Sequence, residues 1–304
     1  MIDQTVKKSP KKVLVVINPR SGSGAYQHLE NALKFQAELS PFDFQLYIIP
    51  KTTAYQDIKK LIKSYRPTIV AAAGGDGTVN LMAGILAHTN IPLLIIPLGS
   101  ANGMAKELGI GNSLENTLSL ISAGVIKPID LIEINNRICV HLADFGLNAR
   151  IVKSFEEDVN RGMLTYARHL FRQVFMLKSY RITLSIDGKQ LKRKVVSLTF
   201  ANASKYGTGA VINPQGLLDD GKFELVLVKP FPRIKLLSIA WKMFTNTLQT
   251  SDFVEIISVK NAEIKISRKT TFQIDGEITG KVKEIKAKIL PKALSVLVPP
   301  VSLT

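Results

Sequence analysis

The pentapeptide Gly74-Gly75-Asp76-Gly77-Thr78 follows the apolar run TIVAAA (68–73) and precedes a helical pattern over 78–88. Glycines let backbone N–H groups come close to a phosphate, and a helix N-terminus adds partial positive charge. Asp76 puts a carboxylate in that loop, where it would repel a polyphosphate unless a cation such as Mg2+ intervenes. The plain alternative is an ordinary strand–turn–helix loop with Asp76 as its N-cap. Two more polar, glycine-bearing loops, 18–24 and 99–103, also follow apolar runs. There is no GxxxxGK[ST] sequence, which excludes a P-loop, and Gln27 stands where GxGxxG would place its third glycine. The second strand ends in Ile49-Pro50-Lys51, with no acid to hold a ribose, which argues against a Rossmann dinucleotide site.

Two acidic turns lie further along, Asp219-Asp220-Gly221 and Gln273-Ile274-Asp275-Gly276-Glu277. Glu277 follows a turn glycine that would present its carboxylate to a cleft. A general base must reach hydrogen-bond distance of the hydroxyl it deprotonates. By residue type alone, a solvated turn glutamate and a common Asp-Gly hairpin turn are the favoured readings. A carboxylate with backbone carbonyls in a tight loop suits a hard cation. His28, His88, His141 and His169 show no paired spacing, which argues against zinc. The single cysteine, Cys139, lies in an apolar strand pattern and reads as core; it excludes a disulfide framework.

The elements that must position these loops change character along the chain. Strand patterns at 13–17, 44–49, 68–73 and 93–96 alternate with helical patterns at 25–39, 55–65 and 78–88. Short apolar strands alternating with helices predict an α/β unit with a parallel sheet covered on both faces, and ligands at the carboxyl ends of its strands. From about residue 127 hairpins take over. Strands are expected at 129–134, 138–143, 180–186, 194–201, 223–228, 253–259, 262–266, 271–274, 281–289 and 294–298, with helices at 162–177 and 233–246. Hairpins without crossover helices predict an antiparallel, β-sandwich-like second domain. The expected domains are 1–126 and 127–289, with 290–304 packing back near the first.

The 304 residues carry 40 Lys+Arg against 24 Asp+Glu. Residues 1–150 hold 15 and 11 of these, a net +4, so the other +12 of the +16 falls in 151–304. Such an excess points to an anionic partner. No recognition motif interleaves aromatics with the basic runs, so nucleic acid is not expected. The polar start has no apolar stretch behind it, and the run IPLLIIPL (91–98) is far below the ~20 residues that span a bilayer. The expectation is a cytoplasmic chain without a transmembrane segment, peripheral to membranes at most. Arg161, Arg168 and Arg172 share one face of the helical pattern 161–177. That face reads either as a solvated basic surface or as a dock for anionic lipid.

Taken together, INPRSGSG (17–24), AAAGGDGTVN (71–80), IPLGSANGMAKELGI (96–110), PIDLIEI (128–134), GTGAVINPQGLLDDGKFELVLVK (207–229) and QIDGE (273–277) resemble the diacylglycerol kinase catalytic-domain superfamily. The likeness is strongest to its small bacterial lipid kinases. GGDGT alone is shared with NAD kinases and phosphofructokinases; the later blocks make the resemblance specific. It implies an NAD kinase/diacylglycerol kinase-like α/β domain and a β-sandwich-like domain with the active site in their cleft. It also implies ATP-dependent phosphorylation of a lipid hydroxyl of diacylglycerol, phosphatidylglycerol or sphingoid type, at an anionic membrane surface. By matching positions, Thr52, Gly74, Gly75, Asp76, Gly77, Thr78, Val79, Asn80 and Ser100 would contact the nucleotide. Glu277 would be the general base, with Asp76 the second catalytic carboxylate. Asp220 and the carbonyls of Leu217 and Lys222 would hold a structural Mg2+, linked through Asp130 to the catalytic region. The sequence departs from the pattern at Gly103, where many relatives carry Asp, and at Lys222, where aliphatic residues are usual. An NAD kinase-like enzyme and a non-catalytic nucleotide- or lipid-binding regulator are the alternatives, and a homo-oligomer is left open.

Overall fold

The protein is described from a computed structural model over residues 10–21, 25–50, 54–146, 178–206 and 209–300. Thr52 and the helical pattern at 161–177 lie outside the described residues. The chain divides into two compact units, Met1–Lys127 with Leu294–Thr304, and Pro128–Ala293.

The first unit opens with β1 (Lys11–Ile17), α1 (Leu29–Leu39) and β2 (Phe42–Ile48). It continues with α2 (Tyr55–Tyr65), β3 (Ile69–Gly74), α3 (Asp76–Leu86), β4 (Leu93–Pro97), α4 (Gly103–Glu107) and α5 (Leu114–Ala123). The strands form a parallel sheet in the order β2-β1-β3-β4, and Val296 pairs parallel with Leu93 beyond β4. All six residues of β3 are buried, as are Val13–Ile17 of β1. That continuous burial is the signature of strands covered on both faces. The chain steps from β1 outward to β2, then returns to the other side of β1 as β3. The crevice at the carboxyl ends of β1 and β3 is therefore a topological switch point.

Local chemistry sets the helix starts. The expected helix at 25–39 begins as a 3₁₀ turn, Ala25–His28, as helix N-termini often do, and His28 at the N-cap makes no side-chain capping bond. α3 begins at Asp76, two residues before the expected start, and its N-cap is Gly75 rather than Asp76.

In the second unit the elements are β5 (Val125–Ile134, entering from the first unit), β6 (Arg137–Cys139), β7 (Leu142–Gly146), β8 (Tyr180–Ile186) and β9 (Lys189–Val195). They are followed by β10 (Ser197–Ala201), β11 (Phe223–Val228), α6 (Leu236–Phe244), β12 (Val254–Val259), β13 (Asn261–Ile274) and β14 (Glu277–Val298). β12-β11-β10-β7-β13-β14 run antiparallel in that order, with β8-β9 on β13. Their core is aromatic: Phe145, Phe200, Phe223 and Phe272 are fully buried. Phe200 stacks on Phe223 and meets Phe272 edge-on, and burial of each side chain stabilises by about 1.5–3 kcal/mol.

Four strand expectations are corrected, the first at 194–201, which straddles the end of β9 and the whole of β10, so that 189–195 is the hairpin partner of 180–186. The run at 138–143 is two strands, broken where the N–H groups of Val140 and His141 leave the ladder for a carboxylate described below. The runs at 262–266 and 271–274 are one strand, β13, with a register shift between Lys265 and Thr270. Likewise 281–289 and 294–298 are one strand, β14: Pro291 punctuates the sequence, but irregular strand positions tolerate it, and Lys292 beside it has φ +50°.

A forked ion pair joins β9 to β12. Arg193 Nε donates to Glu255 Oε1 and Oε2 at 3.2 and 2.9 Å, and Nη2 to Oε1 at 2.9 Å. Those hydrogen bonds hold the Glu255 carboxyl below its ordinary value, against the opposing effect of burial. The stabilisation is complete above the ordinary glutamate pKa of 4.5 and is lost as pH falls through the lower folded value. Glu255→Gln is expected to lower the thermal midpoint at neutral pH, by an amount that shrinks as the pH drops below 4.5. A deficit that stays constant with pH would show that the pair contributes nothing.

Candidate functional site

In the first unit the loops after β1, β3 and β4 are tied to one another. Asn18 N donates to Ala73 O at 2.9 Å and its Nδ2 to Thr78 Oγ1 at 3.2 Å, while Ser21 Oγ accepts from Gly75 N at 3.3 Å. The β3 and β4 loops then meet backbone to backbone. A Cβ on Gly99 would lie 2.6 Å from the Gly75 Cα, and one on Gly74 would collide with Thr78 Oγ1. No side chain fits at either place, so the crevice is lined by main chain. Asn102, at φ +50°, closes the β4 loop on itself: its Oδ1 accepts from Gly99 N at 2.9 Å and its Nδ2 donates to Gly99 O at 2.7 Å.

Asp76 faces this second loop. Its carboxylate accepts from Gly103 N at 3.0 Å and Met104 N at 3.1 Å, so it holds the first amides of α4. Gly74 and Thr78 are buried, and Val79 is core at 3% exposure. Gly75, Asp76, Gly77 and Asn80 are half-buried and Ser100 is exposed. The structure thus brings Gly74–Asn80 and the Ser100 loop together and turns the Thr78 and Val79 side chains inward.

In the second unit Asp130, on β5, is fully buried. Its N–H donates to Leu218 O, its Oδ2 accepts from Gly221 N and its Oδ1 from Lys292 N, each at 2.6 Å. This clamp winds the loop 217–222 around Gly221 (φ +74°), and Asp220 Oδ1 accepts from Lys222 N at 2.9 Å. The Asp220 carboxylate and the Leu217 and Lys222 carbonyls are all hard oxygen donors in one tight loop, a set that fits Mg2+. Asp220 also lines a cavity of about 410 Å³ with Asn213, Gln215, Glu224, Gln249, Val254, Ile256 and Ser258. In its wall the Glu224 carboxylate accepts from Asn213 Nδ2 at 2.6 Å and Ser258 Oγ at 2.9 Å.

Glu277 is exposed and opens β14, paired with Ile274 across the turn Asp275-Gly276. Both turn residues have positive φ, +48° and +87°, the geometry of a type I′ hairpin. Asp275 anchors the turn. Its carboxylate, 8% exposed, accepts from Val140 N at 2.8 Å, His141 N at 2.9 Å and Leu142 N at 3.0 Å. The Cys139 thiol adds a contact at 3.3 Å; burial, then the Asp275 charge, pushes that thiol's pKa well up. Gly276 N donates to Gln273 Oε1 at 2.7 Å, and Gln273 Nε2 to Asp144 Oδ2 at 2.7 Å. The anchoring roles of Asn18, Asn102 and Asp275 escape a reading of the sequence. For Asn102 and Asp275 the only hint is the glycine that follows each, and for Asn18, followed by Pro19, there is none.

Residues 12–134 match the family described as diacylglycerol kinase catalytic domain, and residues 142–298 match the YegS C-terminal NAD kinase beta sandwich-like domain. The chain belongs to the diacylglycerol kinase catalytic-domain family, in the branch whose second domain is of the YegS type. Among relatives, a "Probable lipid kinase YegS-like" of Citrobacter koseri is 29% identical over 239 residues, covering 76% of this chain and 78% of that protein. A "Probable lipid kinase YegS" of Salmonella arizonae is 29% identical over 241 residues, covering 76% and 78%. The fold is shared with a diacylglycerol kinase structure from Bacillus anthracis, at TM-score 0.75 and 16% identity over 98% of this chain and 100% of that one.

Asp275→Ala strands three buried N–H groups, each costing about 1–3 kcal/mol. It is expected to lower the thermal midpoint and to open Cys139 to thiol reagents that leave the native protein unmodified. Unchanged stability with a protected thiol would refute the anchoring role.

Proposed function

We propose that the protein is an ATP-dependent lipid kinase, transferring the γ-phosphate to a lipid hydroxyl of diacylglycerol, phosphatidylglycerol or sphingoid type. The observation that carries this reading is the close meeting of the Gly75 and Gly99 main chains after β3 and β4, beside the switch point of the parallel sheet. Relatives described as lipid kinases support the acceptor class.

Phosphoryl transfer asks little covalent chemistry of a protein; positioning and charge neutralisation do most of the work. Here the main-chain N–H groups of Asp76 and Gly77 at the N-terminus of α3 bind the phosphates, Gly74 and Gly75 give them room, and Asn80, Ser100 and Thr52 stand beside the nucleotide. Asp76 acts by fixing α4 and the Ser100 loop against that cradle. When bound, Mg2+ neutralises phosphate charge; Asp220, Leu217 and Lys222 hold a structural ion. Glu277 takes the proton from the acceptor hydroxyl. The hydroxyl oxygen forms the new P–O bond as the bond from the γ-phosphorus to the bridging oxygen breaks, and ADP leaves.

With labelled ATP and a lipid panel read by mass spectrometry, one phosphorylated lipid is expected. Glu277→Gln should lower turnover by about 10²–10⁴-fold while leaving ATP affinity unchanged in calorimetry. Equal turnover by the two proteins, or phosphorylation of NAD and of no lipid, would sink the reading. Gly99→Ala should do the reverse of Glu277→Gln, abolishing ATP binding first. Retained ATP affinity in that variant would remove the Gly75–Gly99 cradle from the account.

A further inference from the structure

α6 has two apolar faces, and only one of them is used. Ile239 is 7% exposed and packs with Met243 on the small cluster of Leu142, Val226 and Leu248. On the other side Ile234 is 85% exposed, Trp241 71% and Phe244 68%. Ile234 lies in the 3₁₀ turn Arg233–Lys235 that leads into α6, seven residues before Trp241, and Phe244 follows three residues after it. Near 3.6 residues per turn, that spacing puts all three on one side. Single exposed apolar side chains are ordinary, but three large ones on one face mark an interaction surface.

The charge around this face identifies its occupant. Arg233, Lys235 and Lys242 stand in and around α6, with no Asp or Glu between Pro230 and Ser251; Lys229 just before them is paired with Glu255 at 3.8 Å, and the first acid after them is Asp252. A second copy of the chain docking here would bring its own Lys235 and Lys242 onto like charge. An anionic bilayer answers both features: aliphatic and aromatic groups enter the headgroup boundary, tryptophan settles at that depth, and lysines face lipid phosphates. Among the described residues no helix is long and apolar enough to cross a membrane, so attachment through α6 is lateral.

We propose that Ile234, Trp241 and Phe244, flanked by Lys235 and Lys242, form the surface by which this protein docks on anionic membranes. The docking is read from the surface alone. Its purpose, bringing an acceptor lipid to the enzyme, rests on the lipid kinase reading.

Trp241 is the only tryptophan in the chain, so intrinsic tryptophan fluorescence reports this face and nothing else. The full chain, without nucleotide, is titrated with phosphatidylglycerol/phosphatidylcholine vesicles and with phosphatidylcholine vesicles. Anionic vesicles are expected to give a blue shift and quenching by brominated acyl chains. Lys235→Gln with Lys242→Gln should weaken binding by about 30-fold, from roughly 1 kcal/mol per lysine. Ile234→Ser with Phe244→Ser, which leaves Trp241 in place, should abolish the shift while the melting temperature holds. Three results would each overturn the proposal: no shift with anionic vesicles, unaltered vesicle binding by the double serine variant, or a shift that tracks dimer formation without lipid. The kinase reading is tested apart from this, on a detergent-dispersed short-chain acceptor. There the double serine variant is expected to turn over normally, and loss of turnover with docking intact would count against the kinase alone.

Discussion

A backbone N–H in an irregular, buried loop must find an acceptor, and in this protein three aspartates supply most of them at the loops that matter. Asp76 takes two amides of α4, Asp130 takes those of Gly221 and Lys292, and Asp275 takes three successive amides between β6 and β7. Every one of these bonds links residues far apart in sequence. A carboxylate accepts at two oxygens with several lone pairs, so one side chain can close a loop that a strand ladder cannot. These three loops are therefore as determined as the strands they join.

This arrangement divides labour between main chain and side chain. Around Gly75 and Gly99 main chain meets main chain, with Ser21 Oγ and Asn102 Oδ1 holding the two glycine amides, and no side chain fits at Gly99. At β13–β14 the reverse holds. A type I′ turn, buried on its Asp275 side, leaves Glu277 exposed at the tip of the β13–β14 hairpin. Rigid support matters because a group that moves a proton must hold its position to within a fraction of an ångström.

The fold class was legible because hydrophobic periodicity reports it directly: buried runs such as 13–17 and 68–73 alternate with helices, and hairpin turns such as Asn135-Asn136 and Asp187-Gly188 announce the antiparallel half. Both of those turns carry positive φ. What escaped the sequence was long-range. Nothing local marks Asp275 as the acceptor for residues 140–142, and nothing local reveals that Pro291 lies within one continuous strand. The candidate phosphate loop was visible as a glycine cluster. That Gly99 admits no side chain follows only from two loops crossing, a relation no single stretch of sequence contains. The α6 face was equally hidden, since a run such as LLSIAWKMF reads as core until one side of it is seen to be bare.

The pairing of Val296 with Leu93 has a consequence for how the chain is made. The first unit is assembled from two stretches of sequence, with the whole second unit between them. As the chain is synthesised, β2-β1-β3-β4 emerge early, but the outer edge of β4 gains its partner only after nearly three hundred residues have been made. For that interval the young sheet carries an open edge of unpaired amides and carbonyls, the feature from which strands recruit neighbouring chains. β14 thus serves as a latch in time as well as in space: the first unit is sealed last, and the second unit must be complete in length before the first is complete in structure.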